Sequence, residues 1–243
     1  MKKHVVSCLM VSLLVVSFVS VSAAETAFQQ FHHKQNEAYA KYRAALFQTN
    51  KKDKDASLKA TSMFLQEWNM LIQQYADTPP EIYAADPEWK TTLETIAAIA
   101  AKGKGEIEAG NLAEAHETLE GIRDKFTALR KRNHVIVFSD HINTYHEVME
   151  HLLEAGYTAE NIDTAALNSI REQLGVLEFL AETIQEHAPQ EYRHDEKYQQ
   201  LEQGLFASIK ALREAMEKNS PEEISTAIQN LKAPYSKLFL NFG

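Results

Sequence analysis

Pro80, Tyr83, Asp86 and Trp89 return as Pro189, Tyr192, Asp195 and Tyr198, each pair 109 residues apart (189 − 80). The same shift carries Gly110-Asn111 onto Asn219-Ser220, and Leu119, Ile122, Phe126 and Leu129 onto Ile228, Leu231, Tyr235 and Leu238. Breaks and apolar stripes that hold register over such a span predict a tandem duplication, and the three-and-four spacing of the stripes makes the unit helical. Eight Gly and six Pro punctuate 243 residues, too few for the frequent turns of a β-sandwich. The expected fold is all-α, a tandem duplication of an up-down-up-down four-helix bundle.

A leader precedes the repeat. Met1-Lys2-Lys3-His4 is a basic start, Val5 to Ser20 an apolar run, and Val21-Ser22-Ala23-Ala24 supplies small residues for cleavage. This pattern predicts a secretory signal peptide over 1–24, a first unit over 25–133 and a second over 134–243. Cys8, the one cysteine, leaves with the leader, so the exported chain has no thiol for a disulfide, a thiolate metal site, a nucleophile or a covalently attached haem. No later stretch reaches the roughly 18 apolar residues of a membrane span. For a Gram-negative source the expected location is the periplasm. The 34 acidic against 25 basic residues leave no basic face to replace counterions on phosphate, which argues against nucleic acid.

Helical periodicity and caps divide the exported chain into eight segments. The first four run from about Thr26 to Gln48, Asp55 to Tyr75, Asp86 to Ala109 and Asn111 to Arg132. Asp86-Pro87-Glu88 is expected to cap the third, and Asn111 with Glu114 to form a reciprocal box on the fourth. The second four run from about Ser139 to Ala155, Asp163 to Glu186, Asp195 to Lys218 and Ser220 to Leu240. The fourth and fifth are expected to run nearly continuously through Arg132-Asn133-His134. The Val135-Ile136-Val137-Phe138 run fits a buried junction or a short extended segment.

The stretch from Leu129-Arg130-Lys131-Arg132-Asn133 through Phe138-Ser139-Asp140-His141-Ile142-Asn143-Thr144-Tyr145-His146 resembles a segment of uncharacterised secreted helical proteins of proteobacteria. The architecture resembles periplasmic bundles of the cytochrome b562 and cytochrome c′ kind. That resemblance implies a compartment and a topology. It implies no haem attachment, because C-x-x-C-H is absent and no Met near the exported start pairs with a late His.

Chemistry is expected where histidines collect, in Asp140-His141-x-Asn143-x-Tyr145-His146-Glu147-x-x-Glu150-His151. At 100° per residue, His141 falls on the side of Phe138, Ile142, Tyr145, Val148, Met149 and Leu152, and is expected to point inward. Its repeat partner is His32. A buried imidazole in a bundle either ligates a metal or haem or hydrogen-bonds to a tyrosine or carbonyl. His141, Tyr145 and His32 are therefore candidate cofactor residues. His146 with Glu150, and Glu147 with His151, are i,i+4 pairs expected on the exposed side, where they make a second candidate metal site or ordinary helix support. His116, beside Glu117 and Glu120, reads as surface. Arg130-Lys131-Arg132 reads as a helix terminus that could also hold an anion.

No nucleophile elbow, phosphate loop or H-E-x-x-H is present, so no enzyme is expected. Two functions remain open. One is a periplasmic bundle binding Cu, Zn, Ni or Fe, or non-covalent haem, through His141, His32, His146, Glu150 and His151. The other is a cofactor-free module recognising a periplasmic protein partner.

Overall fold

The computed structural model describes residues 26–243, and the leader expected over 1–24 lies outside the described residues. Among these the chain is all-helical, without a β-strand. The order is α1 (Ala27–Asn50), α2 (Lys54–Tyr75), a 3₁₀ turn (Glu81–Tyr83), α3 (Trp89–Ala109) and α4 (Leu112–Arg132). It continues with α5 (Phe138–Glu154), α6 (Thr164–His187), α7 (Gln190–Arg193), α8 (Glu196–Lys218), α9 (Pro221–Asn230) and α10 (Lys232–Phe242). No described helix is long and apolar enough to cross a membrane.

Most helices start where the sequence supplies an oxygen for the first-turn amides, which have no partner within the helix. The Thr26 hydroxyl accepts from the Gln29 amide, and the Gln29 side chain accepts from the Thr26 amide. Asp53, Asp163 and Asp195 accept from Ala56, Ala166 and Tyr198. Ser220 accepts from Glu223, with Pro221 in the first turn. Stops follow the same logic: Gly110 (φ 87°) and Asn219 (φ 52°) end α3 and α8 in the left-handed conformation, which a Cβ disfavours and Gly or Asn tolerates best.

Four expectations fail, each for a local reason. The third helix starts at Trp89 rather than Asp86, because the buried Asp86 carboxylate is committed elsewhere: it accepts from the Glu88 amide and takes Arg132 and Asn133 across from α4. Burial pushes its pKa up, but the Arg132 and Asn133 hydrogen bonds outweigh this and hold it below the usual carboxylate value. Asn111 makes no side-chain capping bond, so the box with Glu114 does not form. α4 and α5 are not continuous: His134 takes φ 55°, Val137 is extended, and helix resumes only at Phe138. The final helix is divided at Leu231, since Pro234 has no amide hydrogen to give the carbonyl one turn earlier.

α1 packs on α2 and α4, and α3 on α2 and α4. α5 packs on α6, α6 on α8, and α9 and α10 return from α8 to α5. The two sets of helices meet along α1 and α10. Apolar area removed from water is the main driving force for this packing. Fully buried Phe31, Tyr42, Phe64, Trp68, Leu93, Ile96 and Phe126 fill the first set; Ile142, Tyr145, Leu177, Leu205, Leu212 and Leu238 fill the second. The indole nitrogens of Trp68 and Trp89 donate to the Leu93 and Tyr75 carbonyls at 2.9 and 2.8 Å. α3 and α4 approach closely at Gly103, where a Cβ would lie 2.8 Å from Leu119.

The break between α4 and α5 is held by one ion pair. Arg130, 3% exposed, forks onto Asp140 with Nε at 2.8 Å and Nη2 at 2.5 Å from Oδ1, and Asp140 Oδ2 also accepts the Val137 amide at 3.0 Å. Asp140→Ala leaves a buried guanidinium unpaired and uncaps α5, and should cost about 3 kcal/mol. Equilibrium chemical denaturation measures this; a midpoint equal to wild type would contradict it.

Candidate functional site

The buried arc of α5 is wider than one apolar stripe. Beside Ile142, Tyr145, Met149 and Leu152 it includes Asn143 and His146. His146 is only 8% exposed and lies 5.0 Å, ring to ring, from Tyr235 of α10. The expectation that His146 and Glu150 lie on the exposed side is therefore corrected. They do form a pair, with His146 Nε2 3.3 Å from Glu150 Oε1, but the pair faces inward because α10 and α4 cover that flank.

α4 brings a second pair of identical spacing. His116 Nε2 lies 3.8 Å from Glu120 Oε1, and His146 Nε2 lies 3.9 Å from the same oxygen. Two His-x₃-Glu pairs from different helices thus share one carboxylate oxygen. A cavity of about 40 Å³ lies between them, closed by Leu46, Phe47, Tyr235 and Phe239. That volume holds a water molecule or an ion and little more.

Hydrogen bonding fixes the proton on His116. The Thr49 hydroxyl hydrogen goes to the Ala45 and Leu46 carbonyls, at 3.0 and 2.9 Å, so its oxygen accepts from His116 Nδ1 at 2.9 Å. Nε2 of the neutral ring then carries a lone pair and faces Glu120. Burial lowers the His116 pKa and favours that neutral ring. Two cations attend the carboxylates. Arg123 Nη2 sits 2.9 Å from Glu120 Oε1, and Lys232 Nζ 3.1 Å from Glu150 Oε1. Hydrogen bonding from His146, with Lys232 assisting against burial, draws the Glu150 pKa down to about 2. As the side chains stand, no group of three or more His, Cys, Asp or Glu among the described residues has the geometry to hold a metal ion.

The remaining candidates fall elsewhere. His141 does not enter the core; it is half-exposed and lies 4.3 Å, ring to ring, from the exposed His187 of α6. Tyr145 is fully buried, stacks 5.9 Å from Tyr235, and its hydroxyl has no partner. His32 stacks on Phe28 at 5.7 Å and bonds to Asn36 at 3.2 Å, on a different cavity. Thus His32, His141 and Tyr145 are not brought together. Glu147 and His151 are both exposed and make no ion pair. Arg130 and Arg132 are occupied by Asp140 and Asp86. Sequence reasoning missed His116, Glu120, Arg123 and Lys232. The one available signal was that His116-x₃-Glu120 repeats the spacing of His146-x₃-Glu150.

Glu150 has a folded-state pKa of about 2 against an ordinary value of 4.5. Its stabilising contribution is complete above pH 4.5 and is lost as pH falls through 2. Glu150→Gln in chelator-treated protein should cost about 2–3 kcal/mol at pH 7, with the gap from wild type closing below pH 4.5. A gap unchanged between pH 7 and pH 2.5 in denaturation experiments would contradict this assignment. No family model matches the chain, and neither a curated protein nor a solved structure matches it.

Proposed function

We propose that the chain is an exported helical-bundle protein that binds a divalent transition-metal ion between α4 and α5, through His116, Glu120, His146 and Glu150. The observation that carries this reading is the meeting of two His-x₃-Glu pairs from separate helices, with three nitrogen-to-oxygen separations of 3.3–3.9 Å. Two imidazoles and two carboxylates form a borderline donor set suited to Zn, Cu, Ni or Fe. Thr49 supports the reading by fixing His116 with its Nε2 lone pair toward the cluster, the role that an outer-shell partner plays for a metal-ligating histidine. Lys232, whose side chain is 42% exposed, would swing into solvent on binding. Arg123, 10% exposed, would stay on Glu120. Non-covalent haem through His32, His141 and Tyr145 has less support, because those residues face three separate surroundings.

In this reading the scaffold is two four-helix bundles, 25–133 and 134–243, related by duplication. Supporting it are the left-handed stops at 110 and 219, and Pro80 and Pro189, each extended before one helical turn. The Tyr83–Trp89 and Tyr192–Tyr198 ring pairs, at 4.8 and 5.9 Å, lie 109 positions apart as well.

A cofactor-free interaction module is the second reading. It is favoured by Val176 and Phe179, one turn apart on α6 and 45% and 65% exposed, and by the match of two cations to two carboxylates in the cluster. Calorimetry of chelator-treated protein with Zn²⁺, Cu²⁺ and Ni²⁺ in turn separates the two. The metal reading expects one equivalent bound, at least about 100-fold weaker in His116→Ala and His146→Ala, and unchanged in His141→Ala and His32→Ala. Binding lost only in the last two variants, or equal in all, would overturn it in favour of the second reading.

A further inference from the structure

A second cavity, about 440 Å³, opens between α1, the start of α5, α7 and the end of α10. It is separate from the His/Glu cluster, and its volume lies in the range of small-molecule sites, which favour junctions between packed units. One face of α1 forms its floor, where Phe28, His32, Asn36, Tyr39 and Arg43 follow one another at helical spacing. Phe138, Tyr192 and Phe242 wall the other side, so most of the lining is aromatic.

Arg43 is the unusual residue. It is 9% exposed, and no aspartate or glutamate pairs with it among the described residues. Both of its hydrogen bonds leave from Nη1, to the carbonyl oxygens of Phe239 and Gly243. Nε is buried and has no partner. The plane of the guanidinium is supported by Tyr39, whose ring centre lies 5.9 Å from Cζ. A guanidinium tied down at Nη1 presents its Nε and Nη2 edge, two parallel donors that match the two oxygens of a carboxylate. A buried charge with an unused donor is costly unless something pairs with it.

The first turn of α5 reinforces the sign. Val137, Phe138 and Ser139 line the same cavity. Asp140 takes the Val137 amide, whereas the Phe138 and Ser139 amides have no partner within the helix. The start of a 17-residue helix carries partial positive charge and favours an anion nearby. Glu191 also borders the cavity, but it is exposed on α7, where water screens it.

The geometry points to a binding site for a small organic acid in this cavity, one carboxylate on the Nε edge of Arg43 and an aromatic or aliphatic body among Phe28, Phe138, Tyr192 and Phe242. Nothing in this assignment needs the metal cluster, so either can fail alone.

The test uses purified, chelator-treated protein and three matched pairs: benzoate and benzamide, 3-phenylpropionate and its amide, octanoate and its amide. Calorimetry should show at least one acid bound ten-fold or more tightly than its amide. Arg43→Gln should abolish that preference, and Arg43→Lys, which keeps the charge but not the fork, should restore only part of it. Ile136, 76% exposed at the rim, gives an independent variant should Arg43→Gln not fold. Ile136→Trp should weaken acid and amide alike by ten-fold or more while leaving the melting temperature unchanged. The assignment is overturned if no acid outcompetes its amide, if the preference survives Arg43→Gln, or if Ile136→Trp binds as wild type does. Inorganic phosphate bound more tightly than every carboxylate would also overturn the choice of carboxylate.

Discussion

Arg130 reaches across the break between α4 and α5 and grips Asp140, and the rest of the arrangement follows from where that grip puts the first turn of α5. Asp140 serves twice, as counter-ion and as acceptor for the Val137 amide, so the ion pair and the helix start cannot be moved independently. Asp86 does the same on the other side of the break, accepting from Arg132 and Asn133 of α4 and from its own chain at Glu88. A short non-helical connection would otherwise leave α5 free to rotate. Clamped at both ends, it sets the rotation of α5, and hence which of its flanks meets α4 and α10.

That rotation explains what could and could not be read in the sequence. Helix starts at Thr26, Asp163, Asp195 and Ser220 were legible because capping is local: an oxygen three residues before an amide suffices. Where the same local signal failed, a distant partner had claimed the group, as Arg132 claims Asp86. The stop at His134 was hidden because neither Gly nor Pro marks it. His134 is held at positive φ by the tertiary clamps around it, not by its own preference.

The site was misread for a related reason. On a helical wheel His141 and His146 flank the line through Tyr145 and Met149 on opposite sides, so the periodicity of α5 alone cannot say which is covered. The answer lies on other helices. α10 lays Tyr235 against His146 and α4 supplies Glu120, whereas the His141 flank meets only an exposed edge of α6 at His187. The repeat argument compounded the error. Pairing His141 with His32 by the 109-residue shift directed attention to positions that are equivalent within each half, while the cluster forms between the halves from residues the shift does not relate.

The charges in that cluster are closely matched, and this constrains how it can work. Two carboxylates face two cations, with a neutral His116 beside them. A dication entering without losing a proton or a partner would raise the local charge by two in a site lined by Leu46, Phe47 and Phe239, where solvation is poor. Lys232 is the group that can leave cheaply, since its stem already reaches solvent and a swing of the side chain returns its charge to water. Arg123 cannot follow, being enclosed by Tyr42, Tyr235 and Glu120, which together raise its pKa against the cost of burial. The two cations therefore have different physical roles. Arg123 is part of the wall that orients Glu120, and Lys232 is a movable counter-charge on Glu150.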